Sequence, residues 1–282
     1  MADSESWDLV IQPKTGWLDL HLAELWKYRD LVRMFIWRDF AASYKPTILG
    51  PLWHIIQPLL TALTFTVIFG RIARLSTDGL PPFLFYMTGN VIWGYFAACL
   101  TSTSSTFISN AHIFGKVYFP RLAVPVSVVI SRLVAFAIQF AIYLAFLGWF
   151  MVSGSDIRPS VHMALLPLLL LLLAGQGLGF GILISSLTTR YRDLQQLVGF
   201  GLQLAMYATP VIYPMSAVPA QYRWVMAANP VAPIVETFRF AFLGAGSFSW
   251  LHLAYSAGFT LLVLVLGVIL FNRVERTFMD TV

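Results

Sequence analysis

Five histidines, thirteen carboxylates and one cysteine are the groups with which this chain of 282 residues can move protons, hold metals or attack a substrate. They do not converge. His21, His54, His112, His162 and His252 fall in different segments, with no H-E-x-x-H pattern and no carboxylate–histidine pairing at a spacing that builds a site. Catalysis by the chain itself is therefore not expected. Cys99 stands alone, so neither an internal disulfide nor a cysteine-based metal cluster can form within one chain. Gly175, Gly177, Gly179 and Gly181 follow an apolar run but lie inside it rather than after a strand. There, Gly175-x-x-x-Gly179 suits close helix packing better than phosphate binding. Gly115-Lys116 continues into Val117 and lacks the upstream glycine of a Walker A loop, so any nucleotide energy must arrive through a partner.

The elements that carry these residues are membrane spans. The chain is 58% hydrophobic and 11% charged, with a mean hydropathy of +0.75, a balance that a water-facing surface of this length cannot accommodate. About forty polar and amphipathic residues precede the first apolar run, a pattern unlike a cleaved leader. Apolar runs bounded by charges and turn residues predict an all-α fold with six spans, near 50–70, 83–107, 122–151, 161–186, 195–213 and 250–271. The chain divides into an N-terminal tail and interfacial helix over 1–47, a six-span core over 48–271 and a tail over 272–282. No repeat or linker marks a second domain.

Six spans put both termini on one side. That side would carry twelve of the Lys and Arg residues, among them Arg38, Lys116, Arg121, Arg190, Arg192 and Arg273, against five on the other: Arg71, Arg74, Arg158, Arg223 and Arg239. The excess predicts cytoplasmic termini, and the basic pI near 9.4 reads as topology rather than a nucleic-acid patch. Arg132 falls inside span three, about three turns from its cytoplasmic end, where it either snorkels or faces a hydrated interior. None of the thirteen acids lies in the centre of a span, where each would cost about 2.5–3.5 kcal/mol. A charged ion-coupling site is thereby disfavoured, although a backbone-carbonyl site stays open.

Three connecting regions are informative. Trp17 to Arg38 alternates aromatic and aliphatic residues with charges at helical spacing, which suits a helix in the membrane interface or, alternatively, a soluble packing helix. Pro214 to Ser249 is too apolar for a free loop. Punctuated by Asn229-Pro230 and Pro233, it predicts two short helices dipping into the outer leaflet, with Glu236 and Arg239 at i,i+3 able to pair, or else apolar filler against its neighbours. On the cytoplasmic side, Ser109 to Arg121 and Thr188 to Asp193 mix charge with aromatics. They read as partner contacts or as charges that only fix topology.

Leu49-Gly-Pro-Leu-Trp53 with Gln57-Pro-Leu59, Phe69-Gly-Arg71, Lys116-Val-Tyr-Phe-Pro-Arg121, Tyr191-Arg-Asp193, Thr209-Pro-Val-Ile-Tyr-Pro214 and Asn229-Pro230 follow one another along nearly the whole chain. Together they resemble the membrane subunit of type 2 ABC exporters for bacterial surface polysaccharides, the O-antigen, capsule and teichoic acid group, with O-antigen the preferred branch. The resemblance implies a homodimer in the inner membrane, joined by two copies of a cytoplasmic ATPase that holds ATP and Mg. Its cargo would be an undecaprenyl-linked glycan; this chain would need no cofactor or metal. It further implies that Asn110, His112, Lys116, Tyr118 and Arg121 belong to the main ATPase-coupling loop and that Tyr191, Arg192 and Asp193 make a smaller contact. The apolar external segment, with Trp224, Glu236 and Arg239, would form the periplasmic gate.

Aromatic faces hold the C–H faces of sugar rings at about 1 kcal/mol each, which binds a polymer yet lets it step onward. Trp53, Phe65, Phe69, Tyr86, Trp93, Tyr95, Tyr207 and Tyr213 are the channel candidates, weighed against lipid-facing or interfacial anchoring. The tract Thr101 to Thr106 either hydrates the cytoplasmic mouth or satisfies helix carbonyls. Rival readings are a type 2 exporter of drugs or simple lipids, and a membrane-embedded enzyme or scaffold.

Overall fold

The computed structural model describes residues 26–44, 48–114, 119–188 and 193–278. Lys116, Tyr118, Tyr191 and Arg192 lie outside them. Helix α1, Arg29–Tyr44, precedes a short 3-10 turn at Gly50–Leu52 and α2, Trp53–Phe65, which continues as a π-helical stretch over Thr66–Ile72. Then come α3, Pro82–Ser104, α4, Thr106–Phe114, α5, Ala123–Val152, and α6, Leu166–Thr188, which is led by a 3-10 turn at Val161–Leu165. Helices α7, Leu194–Tyr207, α8, Arg223–Ala228, α9, Ala232–Leu243, and α10, Trp250–Phe278, complete the order. No strand occurs among the described residues.

Among the described residues, five helices are long and apolar enough to cross a membrane: Trp53–Ile72, Pro82–Ser104, Ala123–Val152, Val161–Thr188 and Trp250–Arg273. They match five of the six expected runs. The remaining run, near 195–213, is shorter as a helix than expected. Helix α7 stops at Tyr207 after 14 residues, a rise of about 21 Å at 1.5 Å per residue, and the chain proceeds through turns to Pro214. Pro210 supplies the reason, because it has no N–H to donate and restricts Thr209 before it. The second run is likewise shorter, since the helix breaks at Ser105 and α4 begins at Thr106.

Helix α3 is the centre of the protein. Leu84, Phe85, Tyr86, Val91, Ile92 and Cys99 on it are all sealed from solvent, and α2, α5, α6, α7 and α9 all pack against it. The glycines of α6 set the tightest contacts. A Cβ on Gly177 would stand 2.6 Å from Cβ of Cys99, and one on Gly181 would overlap Thr103, both on α3. A Cβ on Gly175 or Gly179 would meet Thr260 at 2.6 Å or Val263 at 2.8 Å, both on α10. The expected Gly175-x-x-x-Gly179 packing is therefore present, and its alternate glycines serve a second neighbour.

Helix α1 shows one face to the protein and another away from it. Val32 and Phe35 are buried, Phe35 meeting Phe119 with ring centroids 5.7 Å apart, while Trp26, Met34 and Trp37 are exposed. A packed inner face thus coexists with the tryptophan-bearing outer face that an interfacial anchor requires.

Candidate functional site

The end of the molecule where α7 stops and α8 and α9 follow is organised by irregular backbone that must find hydrogen bonds in apolar surroundings. Arg239 of α9 is 1% exposed and Glu236 is 4% exposed. Arg239 Nη1 donates to Glu236 Oε1 at 2.5 Å, and its Nη2 donates to the carbonyls of Pro210 at 2.6 Å and Val211 at 3.4 Å. The guanidinium also lies 4.2 Å from the ring centroid of Phe85 on α3. The other carboxylate oxygen, Glu236 Oε2, accepts from the backbone N–H of Ser247 at 3.2 Å. Burial pushes the Glu236 carboxyl up, against the pull of Arg239 and the Ser247 N–H. The i,i+3 pairing expected from sequence is formed, and its cation also satisfies the carbonyls freed where α7 ends.

Asn229 makes the second closure. Its Nδ2 donates to the carbonyl of Ala208 at 2.9 Å and to Thr209 Oγ1 at 2.8 Å, while its Oδ1 accepts from Val231 N–H at 2.9 Å. Pro230, next along, offers its carbonyl to Ser256 Oγ at 2.6 Å and to Gln176 Nε2 at 3.4 Å. Gln176 Nε2 also donates to Thr260 Oγ1 at 3.1 Å. Gln176, Ser256 and Thr260 are not among the residues singled out from the sequence. A lone buried amide among the glycines of an apolar run was the available signal, because such a group needs partners.

Two short helices do follow α7, as Asn229-Pro230 suggested. Helix α8 leaves Trp224 71% exposed, whereas α9 is buried along nearly its whole length. Phe238 and Phe242 of α9 meet Phe140 and Tyr143 of α5 with centroids 5.5 to 6.3 Å apart. Gly244 ends α9 in the left-handed conformation, φ +73°, so close to Arg158 that a Cβ would stand 2.7 Å from its carbonyl oxygen.

The eight aromatic candidates separate into groups. Phe65, Phe69 and Tyr86 cluster at the C-terminal end of α2, with centroids 5.4 to 6.4 Å apart. Tyr86 is fully buried there, and Trp93 and Tyr95 are buried too, against Phe96 and Phe136. Trp53 and Tyr207 are half-exposed, and Tyr213 donates its hydroxyl to the Tyr207 carbonyl at 2.6 Å. Within one chain, then, Trp53, Phe65, Phe69, Tyr207 and Tyr213 keep accessible surface, and Tyr86, Trp93 and Tyr95 pack inside the protomer. An apolar groove of about 360 Å³ lies between α3, α6 and α7, lined by Phe96, Phe180, Leu197 and Gly201 among others.

At the opposite end, α4 is held to α1 and α6. Arg38 Nη2 on α1 donates to Asn110 Oδ1 at 3.3 Å, and Asn110 Nδ2 donates to the carbonyl of Thr106 at 3.0 Å. Phe107 N–H donates to Ser185 Oγ at 3.3 Å, and the Phe107 ring stacks on Phe271 of α10 at 4.7 Å. His112 falls on α4, Arg121 is buried just before α5, and Asp193 is exposed just before α7. Of the tract over 101–106, Ser104 and Ser105 donate to the carbonyls of Thr101 and Ser102, which is the carbonyl-satisfying alternative.

Residues 30–243 match the family model described as ABC-2 type transporter. The chain belongs to that family. Among curated relatives, this ABC-2 permease is 30% identical over 253 residues to an O-antigen export system permease protein RfbA of Klebsiella pneumoniae, covering 89% of this chain and 94% of that protein. It is 28% identical over 221 residues to the O-antigen export system permease protein RfbA of Myxococcus xanthus, covering 78% and 82%. It is 23% identical over 247 residues to the polysialic acid transport protein KpsM of Escherichia coli, covering 86% and 93%. The ABC-2 permease is thus a multi-pass membrane transport component, as its apolar runs and motif order indicated.

Proposed function

We propose that this ABC-2 permease exports a lipid-linked polysaccharide, O-antigen in the first instance, across the bacterial inner membrane as a pair of copies driven by two copies of a separate ATPase. The observation that carries this reading is the 30% identity to a relative named as an O-antigen export permease, sustained over 94% of that relative's length.

In this reading both termini are cytoplasmic. Helix α4, with Asn110 and His112, and the following residues Lys116, Tyr118 and Arg121 seat on the ATPase, which binds ATP and Mg. Arg38 carries movement of α4 to α1, because its guanidinium bonds Asn110. Tyr191, Arg192 and Asp193 supply the smaller contact. Helices α8 and α9, with Trp224, Glu236 and Arg239, act as the periplasmic gate. Trp53, Phe65, Phe69, Tyr207 and Tyr213 offer faces to the glycan; Tyr86, Trp93 and Tyr95, buried in the protomer, support them. Nucleotide hydrolysis belongs to the partner. The reading of a drug or simple-lipid exporter is the alternative within the same family.

The deciding experiment deletes the gene and locates lipid-linked glycan by its accessibility to an external probe in intact and opened cells. Glycan accumulating inside, with none at the surface, is the expected result. Unchanged surface glycan in a strain without a redundant exporter overturns the polysaccharide reading. Replacing Lys116 and Tyr118 together by Ala should uncouple ATP hydrolysis from export while the chain still inserts, and normal coupled export would remove the coupling assignment.

A further inference from the structure

Among the described residues, no carboxylate pairs with Arg132 on α5. The 13 acids of the chain lie outside the span centres. The carboxylates found in ion pairs among the described residues, Asp39, Asp156 and Glu236, are bonded to Arg38, Arg158 and Arg239. Arg132 Nε is buried and has no hydrogen-bond partner. His54, in the first turn of α2, and Cys99 on α3 are both within reach of its field. Neither can supply a negative charge as ordinarily protonated.

The position of Arg132 along the helix tells what can. Helix α5 has 30 residues and so runs about 45 Å, against about 30 Å of hydrocarbon. Centred on the bilayer, it leaves Arg132 a little over one turn inside the boundary on the side where α1 and α4 lie. That depth is within reach of the headgroup layer for an arginine stem. A guanidinium so placed is costly unless it is paired, and phosphate is the anion that a bilayer presents there. The start of α2, with His54 at its second position, lies within reach of the same charge.

We propose that Arg132 holds a phosphate group carried by a lipid, admitted at the first turn of α2 beside α5. The guanidinium fork pairs with phosphate oxygens in two parallel hydrogen bonds, geometry that a lysine ammonium reproduces only as a point charge. Ordinary phospholipid and the phosphate-linked carrier of a glycan present the same chemistry to it. Only the choice between them rests on the exporter reading. A carrier held here would have its phosphate fixed at the side of the membrane from which export begins, beside half-exposed Trp53.

The test uses the full chain, purified in detergent and checked for a single species by size exclusion. Native mass spectrometry measures binding of a polyprenyl diphosphate, the matching polyprenol without phosphate, and phosphatidylglycerol, for the wild type, Arg132→Gln and Arg132→Lys. Gln is expected to weaken diphosphate binding by about tenfold or more, about 1.4 kcal/mol, with Lys between Gln and the wild type and polyprenol binding weak in all three. Loss of phosphatidylglycerol together with diphosphate supports the site and makes it open to bulk lipid. Loss of diphosphate alone supports it as a carrier site. Equal diphosphate binding by the wild type and Gln overturns the assignment, whatever the glycan experiment shows. If Gln fails to insert, the wild type decides, and binding diphosphate no better than polyprenol overturns it equally.

Discussion

Arg239 on α9 donates to the carbonyl of Pro210 at 2.6 Å, so the cation that neutralises Glu236 also completes the backbone where α7 ends. Neither task alone requires an arginine. An ammonium can neutralise a carboxylate, and an amide can satisfy a carbonyl, but one planar fork can reach both at once.

Replacing Arg239 by Met leaves a buried carboxylate without its cation and the Pro210 carbonyl without this donor. The chain should lose about 3–5 kcal/mol of stability, read as a lower unfolding temperature in detergent. Adding Glu236→Gln should restore part of that loss. An additive double variant would mean that the two side chains do not act as a pair.

The glycines of α6 predict an asymmetry. Gly181→Val forces a branched side chain into Thr103 and should destabilise by about 1–3 kcal/mol or prevent insertion. Gly199→Ala on α7, where nothing lies within 4 Å of the added carbon, should be neutral or stabilise by up to about 1 kcal/mol. Thermal unfolding of the two variants, side by side, decides it.

The aromatic candidates divide by burial. Trp53→Ala and Tyr207→Ala, on half-exposed residues, should slow export of long glycans several-fold while ATP hydrolysis by the assembled complex continues. Tyr86→Ala and Trp93→Ala remove buried rings and should cost about 3–5 kcal/mol of stability, lowering export and hydrolysis together. Paired transport and hydrolysis assays on one preparation separate the classes. The reverse pattern would place the pathway inside the protomer.

Asn110→Ala breaks the link from α4 to Arg38. Hydrolysis should persist and export should fall, a larger effect than any drop in unfolding temperature, because the buried amide's other bond is only to Thr106 within its own helix. Unchanged export would show that α1 does not follow α4.

The long spans were legible because each is a run of apolar residues bounded by charge, and the two short helices after α7 because Asn229-Pro230 interrupts theirs. The early end of α7 was legible too, in Thr209-Pro210, but Val211 and Ile212 extend the apolar run and hid it. Closure by Arg239 and Asn229 was not, because each reaches carbonyls 20 or more residues away and no local spacing encodes that. Nor was the separation of Tyr86, Trp93 and Tyr95 from Trp53 and Tyr207, since helices apolar all round carry little sign of which face meets protein. Gln176 gave a signal in its isolation and was passed over for its glycine neighbours.

Close approach at the glycines of α6 leaves little side chain at those points to absorb a displacement between α3, α6 and α10. A push on one of the three therefore tends toward a shear of whole helices rather than a repacking. Since α4 is bonded to α6 and stacked on α10, force applied at one face of the membrane has a stiff lever to the hydrogen bonds at the other, where Gln176 and Ser256 meet Pro230.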